Sequence, residues 1–206
     1  MSNRRLLIAV AHPDDESFGY GGLITRYISE GVDVYAIVST DGGAGTVAPE
    51  FLNGYNSVSE LRLAELDCAA EKLGFKKVFK FGYKDSGMMG SETSKDPACS
   101  WQAPREELAR KVVEVIREIQ PQVIVTFNKY GGYGHPDHIA IFGRHHDMPA
   151  LFLKRIPFTA ARLAPGTAQQ TVAEFVVVFE VLRGFGGMEF HGLKISMVMD
   201  EQRADG

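Results

Sequence analysis

Cysteine is scarce in this chain of 206 residues: only Cys68 and Cys99 occur, far apart and without CxxC spacing. That counts against a secreted, disulfide-framed protein and suits a reducing, cytoplasmic compartment. Cys68 falls within a helical pattern and reads as core. Long apolar runs are also missing. The basic stretch Met1-Ser2-Asn3-Arg4-Arg5 is followed by an apolar run of only Leu6 to Val10 before His12 and Asp14 interrupt, too short for a signal-peptide core or a membrane span. Nor is there an excess of positive charge. With 22 Lys and Arg against 26 Asp and Glu, the net charge is −4, which disfavours nucleic acid and anionic membranes as partners. Internal repeats and low-complexity tracts are lacking.

What remains has ordinary globular proportions, 45% hydrophobic and 23% charged, and is long enough to bury a core unaided. One domain over residues 1–206 is expected, with the part beyond about residue 143 the least legible. Leu6 to Val10 reads as a strand buried on both faces. A helix is predicted over Phe18 to Glu30, a second strand over Val32 to Ser39, and a glycine-rich loop from Thr40 to Gly45. Ser57 and Glu60 form a capping box for a helix that Gly74 ends. A third strand, Lys77 to Phe81, leads into a long polar loop, Gly82 to Ala103, holding Asp85, Met88, Met89 and the single tryptophan, Trp101; loops of that length tend to be lids or binding loops. Pro104 opens a helix that ends before Pro121, and Val123 to Phe127 is a fourth buried strand. Further on, a short helix at Arg144 to Asp147 and strands at Leu151 to Leu153, Glu174 to Leu182 and His191 to Met199 are expected.

Strand–helix alternation of this kind predicts an α/β fold: a Rossmann-like, open, mostly parallel sheet with helices on both faces. In the common order 3-2-1-4, the carboxyl ends of strands 1 and 4 are neighbours and open on the binding crevice. Those two ends carry the notable clusters, Ala11-His12-Pro13-Asp14-Asp15-Glu16 and Gly131-Gly132-Tyr133-Gly134-His135-Pro136-Asp137-His138.

One imidazole and three carboxylates within five residues repel one another unless a cation joins them. His12 and Asp15, with His138 from the facing loop, make a three-ligand set of the type that holds catalytic zinc with one open position. Two imidazoles and one carboxylate also accept iron, cobalt or manganese. Asp14, left off the metal, is placed to act as a base, and His135 to stabilise an oxyanion or donate to a departing amine. Glu16 is better read as a helix N-terminal acid. The bland alternatives are a structural His12 and a His135/His138 pair that merely caps a helix with Asp137. His145 and His146 read as a solvated face and His191 as structural. Gly19-x-Gly21-Gly22 is only a loose dinucleotide motif, and the acids before it oppose a pyrophosphate.

The two motifs, AHPDDE at Ala11 to Glu16 and GHPDH at Gly134 to His138, resemble the signatures of the PIG-L/LmbE-like zinc-dependent deacetylases. The resemblance covers about residues 5 to 142. It implies His12, Asp15 and His138 as zinc ligands, Asp14 as general base and His135 as the electrostatic or acid partner. It also implies that Asp137 orients part of the site and that Tyr133 offers a hydroxyl to the tetrahedral intermediate. Tyr83-Lys84-Asp85-Ser86-Gly87-Met88 is similar to the subgroup of the mycothiol pathway. By that similarity Asp85 and Met88 touch the sugar, and Arg62, in Arg62-x-x-Glu65, meets a more distant substituent. The chain departs from the family in Pro149, eleven residues after His138, and in a C-terminal part that matches nothing placed.

The function expected is removal of acetyl from an N-acetylglucosamine derivative by zinc-bound water, with a small amino-sugar substrate as partner; a homo-oligomer is compatible. The rivals are an amidase of thiol conjugates, a metallophosphoesterase and a non-catalytic sugar-binding protein of the same fold.

Overall fold

A computed structural model describes residues 4–143, 177–180 and 195–197. Four strands run parallel: β1 (Arg5–Val10), β2 (Asp33–Thr40), β3 (Lys77–Tyr83) and β4 (Val123–Thr126). Beyond β4, β5 (Val177–Glu180) and β6 (Ile195–Met197) extend the sheet in antiparallel fashion, giving the order β3-β2-β1-β4-β5-β6. The predicted order 3-2-1-4 is present, and β5 and β6 lie inside the two apolar runs marked as late strands. The expected helix at Arg144 to Asp147 and strand at Leu151 to Leu153, with His145, His146 and His191, lie outside the described residues.

Among the described residues five α-helical segments follow the strands: α1 (Asp15–Ser29), α2 (Val58–Leu73), α3 (Arg105–Ile119), the single turn α4 (Gly131–Gly134) and α5 (Pro136–Gly143). Right-handed crossovers through α1 and α2 step outward from β1 and put those helices together on one face. The crossover through α3 steps back to β4 on the other side of β1, and α3 packs with α5 on the opposite face. β1 is thus covered on both sides. Leu6, Leu7, Ile8, Ala9 and Val10 are all buried, each large side chain contributing about 1.5–3 kcal/mol by leaving water. β3, at the edge of the sheet, is only partly covered along most of its length.

Helix ends follow from local chemistry. Ser57 Oγ accepts the Glu60 amide at 3.1 Å, and Gly74 closes α2 with φ 85°. Glu60 sends its own carboxylate to the Asn56 amide at 2.8 Å, one residue before the expected Ser57 amide. α1 begins at Asp15, three residues earlier than predicted, so Asp15 and Glu16 form its first turn, where acids complement the helix dipole. Cys68 is exposed, contrary to the core position expected. α2 buries Leu61 and Leu66, and Cys68 lies on its outer side; Cys99 is the buried cysteine. Among the described residues no helix is long and apolar enough to cross a membrane.

Candidate active site

The chain leaves β1 at Ala11, whose carbonyl is tied to β2 by the Thr40 amide at 2.8 Å and the Thr40 hydroxyl at 2.9 Å. The corner that follows is tight. Asp14 has φ 110°, a left-handed backbone that only short polar residues and glycine adopt readily. Three contacts hold it there. Buried Glu16 accepts the Asp14 amide at 3.1 Å, and Arg62 of α2 reaches both the Pro13 carbonyl and, at 2.5 Å, the Asp14 carboxylate. Arg62 also pairs with Glu65 at 3.1 Å. Asp15 turns the other way, its Oδ2 folded back onto the amides of His12 at 2.7 Å and Ala11 at 3.2 Å. Adjacent aspartates therefore face different environments.

The second corner leaves β4 at Phe127, whose ring stacks on His138 at 3.9 Å and 3° between planes. His138 Nδ1 meets the Gly131 carbonyl at 3.2 Å. Gly131 has φ 62°, and a Cβ there would stand 2.9 Å from both His138 Cβ and the Ile139 amide nitrogen; only glycine lets the turn close on the ring. His138 is buried on the first turn of α5.

Because β1 and β4 are neighbours, the corners meet. His12 Nδ1 lies 3.0 Å from His138 Nε2, and Asp15 Oδ2 is 3.5 Å from each. The far nitrogens are committed: His12 Nε2 faces Asp137 Oδ2 at 3.0 Å and His138 Nδ1 faces a carbonyl. Both far nitrogens then carry hydrogens as donors, so two ring acceptors and a carboxylate oxygen point at one another. Three acceptors are compatible at such range only with a proton or a cation among them. The donor set thus fits a divalent metal, with the outer partners that fix imidazole tautomers in metal sites.

His135 and Asp85 also lie in this cluster: His12, His135 and His138 bring donor atoms together, and His12, Asp85, His135 and Asp137 offer a further grouping. Backbone amides bind its acceptors, as they bind Asp15 Oδ2. Asp137 Oδ2 takes the Ser86 amide at 2.9 Å, Asp85 Oδ1 takes the Gly87 amide at 2.8 Å, and His135 Nδ1 takes the Asp137 amide at 3.2 Å. The last bond leaves a neutral His135 with its hydrogen on Nε2, 3.9 Å from Asp85 Oδ1.

Electrostatics agree with these roles. Burial opposes charge on His12, but hydrogen bonds to Asp137, Asp15 and Asp85 outweigh it and hold its pKa well above the ordinary imidazole value. Burial lowers the pKa of His138 to about 4 and also lowers that of His135, keeping both neutral. Asp15 resists the upward push of burial through its contact with His12 and lies below the usual carboxylate value. Asp14 is raised by burial, with Arg62 pulling the other way.

The remaining expected site residues are spread around this centre. Asp85 is buried with Oδ1 3.5 Å from His12 Nε2. Tyr133 is exposed, its ring edge-on to His138 at 5.2 Å and to His135 at 6.0 Å. Met88 is exposed on the long loop, and Arg62 is engaged by Asp14.

Residues 7–144 match the family model described as PIG-L, GlcNAc-PI de-N-acetylase. The chain belongs to the PIG-L family. It is 43% identical over 148 residues to a 1D-myo-inositol 2-acetamido-2-deoxy-alpha-D-glucopyranoside deacetylase of Thermobifida fusca, covering 68% of this chain and 52% of that protein. The like-named protein of Streptomyces griseus is 37% identical over 204 residues, covering 92% of this chain and 63% of its own. This PIG-L chain thus spans about half to two-thirds of the length of these relatives. Among solved structures, the N,N'-diacetylchitobiose deacetylase of Pyrococcus horikoshii superposes with a TM-score of 0.53 at 26% identity, over 67% of this chain and 46% of that one.

Several residues of the PIG-L site escape a reading of the sequence. Phe127 looks like the last residue of an apolar run, and nothing marks it as a stacking partner. Ser86 and Ser100 sit in a polar loop rich in serine, yet both are buried against Asp137. Gly131, in the glycine-rich run before His135, and Ser86, in the stretch Tyr83 to Met88, lie within the motifs noted, but those motifs assign neither a role.

Proposed function

We propose that this PIG-L chain is a divalent-metal-dependent N-deacetylase that hydrolyses the acetamido group of a 2-acetamido-2-deoxyglucose unit, releasing acetate and the free amine. One observation carries the reading. Two imidazole acceptors and a carboxylate oxygen converge within 3.5 Å, while the carboxylate just before it in the chain, Asp14, stays out of that convergence. The names of the relatives support an amide-bearing sugar as substrate.

His12 Nδ1, Asp15 Oδ2 and His138 Nε2 are the atoms that would hold the ion. Zinc is the metal assigned, and iron(II) or another divalent ion suits the same donors. When bound, such an ion makes a coordinated water acidic enough to attack near neutral pH and polarises the amide carbonyl. Asp14 takes the proton of the attacking water and returns it to the departing amine nitrogen. His135, with hydrogen on Nε2, and the Tyr133 hydroxyl donate to the developing oxyanion. Asp137 keeps His12 in the tautomer that presents Nδ1. Asp85 and Met88 contact the sugar, and Arg62 holds Asp14 in place while offering its outer N–H groups to a substituent.

Metal analysis paired with acetate release from a panel of N-acetylglucosamine conjugates, an inositol glycoside among them, tests this. The expected result is one divalent ion per chain and stoichiometric acetate and amine. Tight sugar binding by zinc-replete protein without acetate release would overturn it.

A further inference from the structure

The loop between β3 and α3 contributes no atom to the ligand triangle, yet it is fastened to it. Lys84 and Cys99 pair as an isolated bridge, the Lys84 amide donating to the Ala98 carbonyl at 3.0 Å and the Ser100 amide to the Lys84 carbonyl at 3.2 Å. This pins the two ends of the loop together and aims Ser86 and Ser100 inward. Both hydroxyls donate to Asp137 Oδ1, and the Ser86 amide donates to Asp137 Oδ2 at 2.9 Å. The direction of the Ser86 bond is set: its Oγ accepts the Trp101 amide at 3.2 Å, so its hydrogen is free for the carboxylate. Asp137 is fully buried; among the described residues it meets His12 Nε2 at 3.0 Å and His135 Nδ1 at 3.9 Å, and it pairs with no lysine or arginine. A buried carboxylate depends on its hydrogen-bond donors, and beside His12 Nε2 three of them come from two serines.

We propose that Ser86 and Ser100 are positioning residues for the metal centre: by fixing the Asp137 carboxylate they fix His12 with hydrogen on Nε2 and Nδ1 turned toward the ion. The inference rests on the metal-centre reading above and extends it to a loop with no ligand of its own. It also divides the loop. Its base is part of the metal site and cannot swing away without stripping the donors from Asp137, whereas the exposed tip at Met88 and Met89 is free of that duty.

The test uses the full chain with Ser86→Ala, Ser100→Ala and both together. Zinc affinity is measured by competition with a chromophoric chelator at fixed pH, alongside the visible spectrum of the cobalt(II) form and thermal unfolding of the metal-free protein. The double variant is expected to bind zinc about 10–100-fold more weakly, as loss of outer partners of a histidine ligand does, with an altered cobalt spectrum. Parent-like affinity and spectrum in a double variant that merely melts at lower temperature would overturn the inference and leave the serines as loop packing. Should the double variant not fold, Ser100→Ala decides alone: weaker zinc binding supports the proposal and parent-like binding ends it. A His12→Ala chain that binds zinc as tightly as the parent overturns the metal-centre reading itself, a failure distinct from that of the serines.

Discussion

The same tripeptide, His-Pro-Asp, occurs at both corners of the site, as His12-Pro13-Asp14 and His135-Pro136-Asp137, with opposite results. In the first corner the histidine belongs to the proposed ligand triangle and the aspartate is half-exposed beside Arg62. In the second the histidine stands off the triangle and the aspartate is fully buried among serines. Residue type does not decide between these fates; the backbone does. Asp14 precedes α1 in a left-handed conformation that turns its side chain toward α2, whereas Asp137 sits within the first turn of α5 and points into the sheet's carboxyl edge. In the proposed reaction one corner delivers a base that meets substrate, the other a buried acceptor that orients a ligand.

Exchanging the two carboxylates for amides breaks that comparison most sharply. Asp14→Asn is expected to lower kcat by about 10²–10⁴-fold, the usual worth of a positioned base, while bound metal per chain stays unchanged. Asp137→Asn is expected to do the reverse in kind, weakening metal by about 10–100-fold. It should also destabilise the fold by about 1–3 kcal/mol, because Ser86, Ser100 and His12 cannot all donate to an amide. Kinetics at saturating zinc, metal titration and denaturant unfolding read the two apart; loss of metal from the Asp14 variant would merge the roles.

The pH dependence of binding gives a smaller, graded effect. With its pKa raised, His12 holds a proton near neutrality in the metal-free chain, whereas His138 at about 4 and Asp15 below the ordinary value hold none. Metal must displace that proton, so affinity rises with pH by about tenfold per unit up to the pKa of His12 and about one proton is released on binding at pH 7. Calorimetry in buffers of different ionisation enthalpy counts it; zero release would contradict the raised pKa of His12.

The smallest expected effect belongs to Arg62. Arg62→Gln removes the cation that lowers the Asp14 pKa, so the acid limb of kcat/KM should move to higher pH, where more base is then protonated. Part-exposed pairs of this kind are worth little, so the change at neutral pH should be about fivefold or less. A pH–rate profile that keeps its acid limb would show that Arg62 does not act through Asp14.

Legibility in the sequence followed the kind of physics involved. Strand order was readable because a buried parallel strand must be apolar throughout, as Leu6 to Val10 is, and because handedness restricts the crossovers. The convergence of His12, Asp15 and His138 was readable because neighbouring strands 1 and 4 bring their two corners together. Ser86 and Ser100 were not, since a buried serine and a loop serine have the same letter and only the folded loop distinguishes them. Cys68 misled for a related reason: helical spacing locates a residue on a turn of α2 but does not say which stripe the sheet covers.

Asp14 also shows how little room one position can leave. Its backbone geometry suits glycine, is strained but tolerable for asparagine and aspartate, and penalises longer or branched side chains more. The reaction proposed requires an acid. Only aspartate belongs to both lists, so a glutamate there would supply the right group at the cost of the corner that aims it, and the corner would tolerate asparagine while the reaction would not.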